Sequence, residues 1–431
     1  MAKDKKMEDR RQKISWAMYD WANSAFATTV MAGFFPLFFK QYWAGDLAVS
    51  ESTFMLGNAN AVASILVVIL APILGAIADR GGVKKRFLLF FTMMGVVTTG
   101  SLYMVAQGEW AMALMVYILA VLGFSGSLPF YDALLVDVAE EKDFDTLSAV
   151  GFSFGYLGGG ILFAFNVMMT LNPQAFGLDD VSHAVRVSFL SVAIWWGVFS
   201  IPVMLFVKEG KSNLTSGSKS AISGGFKQLL TTFRQIRTLK FTFLFLAAYW
   251  LYIDGVDTVI RMAVDYGLSI GLESSHLMIA LLITQFVGFP SALVFGKIGE
   301  KRGARQGIML AIFVYFIVVI WAYQMSQVWE FYTLAVIIGL VQGGIQALSR
   351  SFYARIIPQS KAGEFFGFYN MMGKFAAVFG PMIMGWVALA TDSPRLSILS
   401  VVVLFIAGAV LLAMVNEEKA RSDAVAFDTK P

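Results

Sequence analysis

Twelve windows of predominantly apolar residues recur along the chain, each about 20 residues long and therefore able, at 1.5 Å per residue, to cross a hydrocarbon layer about 30 Å thick. They fall near 15–39, 54–78, 87–106, 111–136, 147–170, 185–207, 241–266, 276–298, 306–325, 330–354, 363–389 and 396–415. Apolar residues fill 58% of 431 positions, charged residues only 14%, and mean hydropathy is +0.69. No water-facing surface tolerates that balance, so the chain reads as an all-α integral membrane protein. The first window is too long for a signal-peptide core and lacks a small-residue cleavage site behind it, so it reads as a retained helix.

The basic residues test this map independently, because Lys and Arg in short loops gather on the cytoplasmic side. With the N-terminus inside, 28 of 33 fall on inside segments. The outer side holds Lys40, Arg186, Arg261 and Arg395, and Lys374 lies within a window. Both termini are therefore expected in the cytoplasm, in a multi-pass protein of the inner cell membrane. The net charge of +4 follows from this bias and suggests no nucleic-acid partner. The hydrophilic stretch 208–240 divides the chain into 1–207 and 241–415, each with six windows, and the polar tail 416–431 reads as disordered.

Several chemistries are excluded. There is no cysteine, and the two histidines, His183 and His276, belong to no ligand pair, so no metal or other cofactor is expected. No phosphate-binding GxxxxGK[ST] loop occurs, and no nucleophile and base pattern suggests an enzyme.

The loop after the second window, "GAIADRGGVKKR", has a counterpart after the eighth, "GKIGEKRGAR". Gly75, Asp79, Arg80 and Gly82 match Gly296, Glu300, Lys301 and Gly303 at identical spacing, 221 residues apart. Parallel halves related by an axis along the membrane normal produce such a pattern. The first loop resembles the signature loop of the major facilitator superfamily. "YDWANSAF" (Tyr19 to Phe26), "DGVDTVI" (Asp254 to Ile260), "GLVQGGIQALSRS" (Gly339 to Ser351) and "EFFGFYNMMGKFAAVFGP" (Glu364 to Pro381) resemble one branch. This is the vacuole-effluxer-like branch of fungal vacuolar amino-acid effluxers and bacterial relatives. Val83, Asp132 and Val136 depart from the pattern. The resemblance implies two six-helix bundles, with spans one, four, seven and ten around a central cavity.

A charge at the bilayer centre costs roughly 2.5–3.5 kcal/mol on insertion scales, so intramembrane ionisable groups need partners or a wet cavity. Asp254 lies about 20 Å into span seven, near the midplane, and Lys374 lies at similar depth in span eleven. Asp254, Asp257 and Arg261 share one helix face, where an internal Asp257–Arg261 pair is the bland alternative. Span ten carries Gln342, Gln346 and Arg350 as a stripe; span eleven carries Asn370 and Lys374. "DGVDT" echoes "DWANS", matching Asp254 with Asp20, Asp257 with Asn23 and Thr258 with Ser24. Gly151, Gly155 and Gly159 form a close-packing face, beside which Tyr156 is a candidate cavity residue.

The expectation is a monomeric secondary transporter of small polar solutes, amino acids among them, working by alternating access and driven by a proton gradient. Asn23, Tyr156, Gln342, Gln346, Asn370 and Lys374 are the expected substrate contacts. Asp254 and Asp20 are the expected proton carriers, and Asp79, Arg80, Glu300 and Arg350 the gating residues. A lipophilic-drug exporter and a non-transporting sensor or scaffold of the same fold are the competing readings.

Overall fold

The computed structural model describes residues 2–47, 49–210, 234–269, 274–391 and 393–429; within helices, the side chains of Asp79, Arg80, Arg261 and Lys374 lie outside the described set. Among the described residues every regular element is helical. The first is α1 (Ala2–Ala25), which continues through a π-helical segment, Phe26–Phe34, a turn of α-helix, Phe35–Phe38, and a last π turn, Phe39–Trp43. Then come α2 (Val49–Gly81), α3 (Lys84–Ser101), α4 (Trp110–Ala133), α5 (Phe144–Leu171) and α6 (Val181–Phe206). The second half contains α7 (Lys240–Ser269), α8 (Ser274–Arg302), α9 (Ala304–Gln324), α10 (Val328–Arg355) and α11 (Ala362–Thr391). Helix α12 comes in two parts, Pro394–Ser400 and Val402–Ala413, and α13 (Glu417–Asp428) follows. Ten helices among the described residues are long and apolar enough to cross a membrane. Helices α2 and α11, with 33 and 30 residues, stand at the second and eleventh expected windows.

The contacts between helices come in twins. In the first half α1 packs on α5 and α6, α3 on α4 and α6, and α2 on α4. Six helices later the same set recurs: α7 on α11 and α12, α9 on α10 and α12, and α8 on α10. The junction between halves obeys the same rule, since α2 meets α11 as α8 meets α5, and α4 meets α11 as α10 meets α5.

The paired loops explain part of this. Gly82 and Gly303 adopt φ of 56° and 90°, a left-handed turn that lets the next helix begin at once. Gly75 lies against the backbone at Gly363 on α11, and Gly296 against Ala149 on α5, so each repeat spends its first glycine on close approach to the opposite half. The bases that follow bind helix ends: Lys85 Nζ donates to the Val207 carbonyl at 2.6 Å and Arg305 Nη1 to the Val415 carbonyl at 3.0 Å. Both carbonyls follow the last turn of a helix, where a cation is favoured.

The segment after Asn416 carries a helix, α13. The Asn416 side chain accepts from the Lys419 amide at 3.0 Å and caps α13, Glu417 and Glu418 occupy its first turn, and Ala420 and Ala424 bury one face. Asp428 accepts from the Gln359 amide at 2.8 Å and from the Ser360 hydroxyl. Of the expected linker, 211–233 lies outside the described residues, while Ile236 and Leu239 are buried. Near the first terminus Lys208 pairs with Glu8, so both ends of the chain meet the same, basic end of the molecule.

Candidate functional site

A cavity of about 340 Å³ lies between the halves. Helix α1 lines it with Asp20, Asn23 and Ser24, the π-helical segment that follows with Thr28, α4 with Asp132, and α5 with Phe152 and Tyr156. From the other half come Tyr249 and Asp257 of α7, Gln285 of α8, Gln342, Gln346 and Arg350 of α10, and Tyr369 and Asn370 of α11. Glycines admit these side chains. A Cβ at Gly155 would sit 2.5 Å from Ser24 Oγ, one at Gly159 2.9 Å from Thr28 Oγ1, and the Tyr156 ring is seated against Gly288 and Gly343 of the opposite half. Asn23 Nδ2 and Gln342 Oε1 are buried with no hydrogen-bond partner among the described residues. An orphaned group of that kind costs about 1–3 kcal/mol, so the wall offers a donor and an acceptor to whatever fills the space.

Toward the basic end, polar contacts between the halves close the cavity. Arg350, 3% exposed, donates from Nη1 to Asp132 Oδ1 at 3.3 Å, from Nη2 to Asp20 Oδ2 at 3.2 Å, and to Ser148 Oγ and carbonyl at 2.9 and 3.0 Å. Tyr131 donates to Asp20 at 2.8 Å, and Asn370 of α11 to Asp132 at 2.9 Å. Nearer the loops Arg355 meets Asp145 at 2.7 Å, the Ser351 hydroxyl donates to Asp145, and the Ser148 hydroxyl donates to the Ala347 carbonyl at 2.8 Å. In the other direction lies a second space of about 280 Å³. It shares Thr28, Asp257, Gln285, Gln342 and Gln346 with the first and is walled by Leu281, Val318, Phe331, Leu334 and Ile338.

Asp20, Asn23, Tyr156, Gln342, Gln346, Arg350 and Asn370 thus meet around one space. Asp254 does not. Its Oδ1 accepts from the Gly380 amide at 2.9 Å and from Thr258 Oγ1 at 3.4 Å, which turns the carboxylate into the α7–α11 contact, while Asp257 one turn on faces the cavity. Arg350, expected as a gating residue, bridges the halves and also lines the cavity. Glu300 is exposed at the basic end, 3.4 Å from Thr146 of the opposite half. The expected contacts of Lys374, Asp79 and Arg80 fall outside the described side chains. Sequence reasoning missed Asp132 as the second partner of Arg350, and the Asp145–Arg355 pair. The signal for Asp132 was an acid inside an apolar window, which needs a counter-charge.

A family model described as vacuole effluxer Atg22 like matches residues 42–425. The chain belongs to that family. Among Atg22-like relatives, the MFS-type transporter YxiO of Bacillus subtilis is 40% identical over 410 residues, covering 95% of each chain. Autophagy-related protein 22 of Yarrowia lipolytica is 23% identical, covering 88% of this chain and 78% of its own. Solved structures agree on the architecture. The human organic anion transporter MFSD10 matches with a TM-score of 0.70 at 13% identity, covering 94% of this chain and 99% of its own. The proton:xylose symporter XylE matches at 0.70 and 12%, covering 97% and 98%. The Atg22-like chain therefore has the major facilitator fold and is a multi-pass membrane protein with transporter relatives.

Proposed function

We propose that this Atg22-like protein is a twelve-span secondary transporter of small polar solutes, amino acids among them, in the cytoplasmic membrane. The observation that carries the reading is the cavity between the halves, with carboxylates, a guanidinium and amides on its wall and two amide atoms that lack partners among the described residues. About 340 Å³ lies near the lower end of the range for small-ligand sites, and both charge signs suit a zwitterion. The basic end is the cytoplasmic one by the positive-inside rule, so the arrangement described is closed to the cytoplasm. Alternating access is rocking of the two halves, which parts Arg350 from Asp20 and Asp132 and carries the paired loops, with Asp79, Arg80 and Glu300, away from their neighbours. One chain supplies the whole cavity, so a monomer suffices. A proton gradient drives the cycle, with Asp20 and Asp257, the carboxylates that α1 and α7 turn to the cavity, as carriers.

The apolar second space favours a cargo with a nonpolar portion, the one feature a lipophilic-drug exporter would share. Reconstitution distinguishes the readings. Purified protein in liposomes should move a radiolabelled amino acid or similar solute under an imposed pH gradient, and Asp257→Asn and Arg350→Gln should lose that flux. If no solute moves under any gradient, a sensor or scaffold is the better reading; if only lipophilic cations move, the exporter is.

A further inference from the structure

Every hydrogen bond that the Arg350 guanidinium makes among the described residues goes to the half of the molecule to which Arg350 does not belong. Asp20 and Asp132 hold two of its nitrogens, and Ser148 takes the remaining bonds. Three rings from the same half surround it: its Cζ lies 4.8 Å from the ring centre of Trp16, 5.4 Å from Tyr131 and 4.3 Å from Phe152. Aromatic faces and carboxylates together make a receptacle for an organic cation.

The receptacle also stands without its tenant. Trp16 stacks on Tyr131 with ring centres 4.5 Å apart, Trp16 Nε1 donates to the Tyr131 carbonyl at 2.9 Å, and the Tyr131 hydroxyl holds Asp20 at 2.8 Å. All of these contacts lie within α1 and α4. Two carboxylates also outnumber the one guanidinium, so the box keeps its preference for positive charge.

Resting on the alternating-access reading, we infer that Trp16, Asp20, Tyr131, Asp132, Ser148 and Phe152 form a binding site for a primary ammonium or guanidinium group, and that Arg350 is its built-in occupant in the closed arrangement. When the halves part at the basic end, Arg350 leaves with α10 and the box opens to a cationic group from the solution. An external cation and Arg350 therefore compete for one site, and binding of the cation favours the open arrangement.

The chain contains no cysteine, so Ser148→Cys places a single thiol inside the box. A methanethiosulfonate reagent bearing ethylammonium should modify it faster than one bearing ethylsulfonate, by about tenfold or more, because two carboxylates repel the anion. Adding Asp20→Asn and Asp132→Asn should abolish the preference. Equal rates in the Ser148→Cys protein, or a preference that survives both asparagines, would overturn the site. Modification by neither reagent would show instead that the basic end does not open, which removes the transport reading and the inference together. In a second measurement, methylguanidinium should raise the melting temperature of Arg350→Ala, or of Arg350→Gln, in proportion to its binding. It should shift the parent, where Arg350 competes, far less, and leave Arg350→Ala/Asp132→Asn unmoved. A folded Arg350→Ala with no such rise refutes the inference.

Discussion

Replacing Arg355 by leucine should open the basic end of the molecule. Its Nη2 lies 2.7 Å from Asp145 Oδ2, with the arginine side chain 11% exposed and the aspartate 1%. Without the guanidinium, Asp145 is a buried carboxylate facing the Ser351 hydroxyl. Breaking a buried pair in this way costs about 3–5 kcal/mol. The cost falls on the closed arrangement, because the pair joins α5 to α10 and comes apart when they separate. The closed-to-open ratio should drop by roughly two to four orders of magnitude at 1.36 kcal/mol per tenfold. A Ser148→Cys reporter, buried at the same junction, should then react with a small maleimide faster by that factor until opening is complete. Replacing both partners, Asp145→Leu with Arg355→Leu, removes the stranded charge and should restore the slow rate. The Arg421–Glu141 bridge is shorter, at 2.6 Å, but its side chains are 47% and 37% exposed. Such a pair contributes about 0–1 kcal/mol, so Arg421→Ala should change labelling by no more than about fivefold. Parent-like labelling of Arg355→Leu, or equal labelling of the single and double variants, would refute the reasoning.

Three further outcomes are expected. Asp254→Asn keeps an oxygen for the Gly380 amide and should retain transport, whereas Asp254→Leu should lower stability by about 1–3 kcal/mol in a denaturant titration. If Asp254→Asn abolishes uptake and Asp257→Asn does not, the assignment of the cavity-facing carboxylate fails. Gly155→Ala forces α1 from α5 and should cost about 1–3 kcal/mol, while Gly57→Ala, with nothing within 4 Å of the added carbon, should be neutral or stabilising in a thermal melt. Asn416→Ala removes the cap of α13 and should weaken that helix by about 0.5–2 kcal/mol, seen as faster amide exchange over 417–428.

The architecture was legible because lipid imposes a length and a sidedness on apolar windows, and because the doubled loop at Gly75 and Gly296 betrays two related halves. Which residues face the cavity was legible only to the width of a helix face. Asp254 and Asp257 lie three positions, about 60°, apart around α7, and the packing of Gly380 decides which edge turns inward. Arg350 was placed by the height of its backbone, whereas its long side chain carries the charge across to the other half. Asp132 stood out in the sequence only as a departure from relatives, since its meaning depends on a partner 218 positions away. The tail was read from its polarity, which hid a cap at Asn416 and the buried pair Ala420 and Ala424.

The twinned contacts relate the two halves by a half-turn about the membrane normal, an operation that exchanges the sides of the cavity and never the faces of the membrane. Any difference between the halves at one depth is therefore a difference across the cavity. Here it is concentrated in a few side chains: Arg350 of the second half plugs into Asp20 and Asp132 of the first, and Asn23 on α1 is answered by Asp257 on α7. Two matching walls thus present unlike chemistry to whatever lies between them, so a bound molecule has one preferred way round.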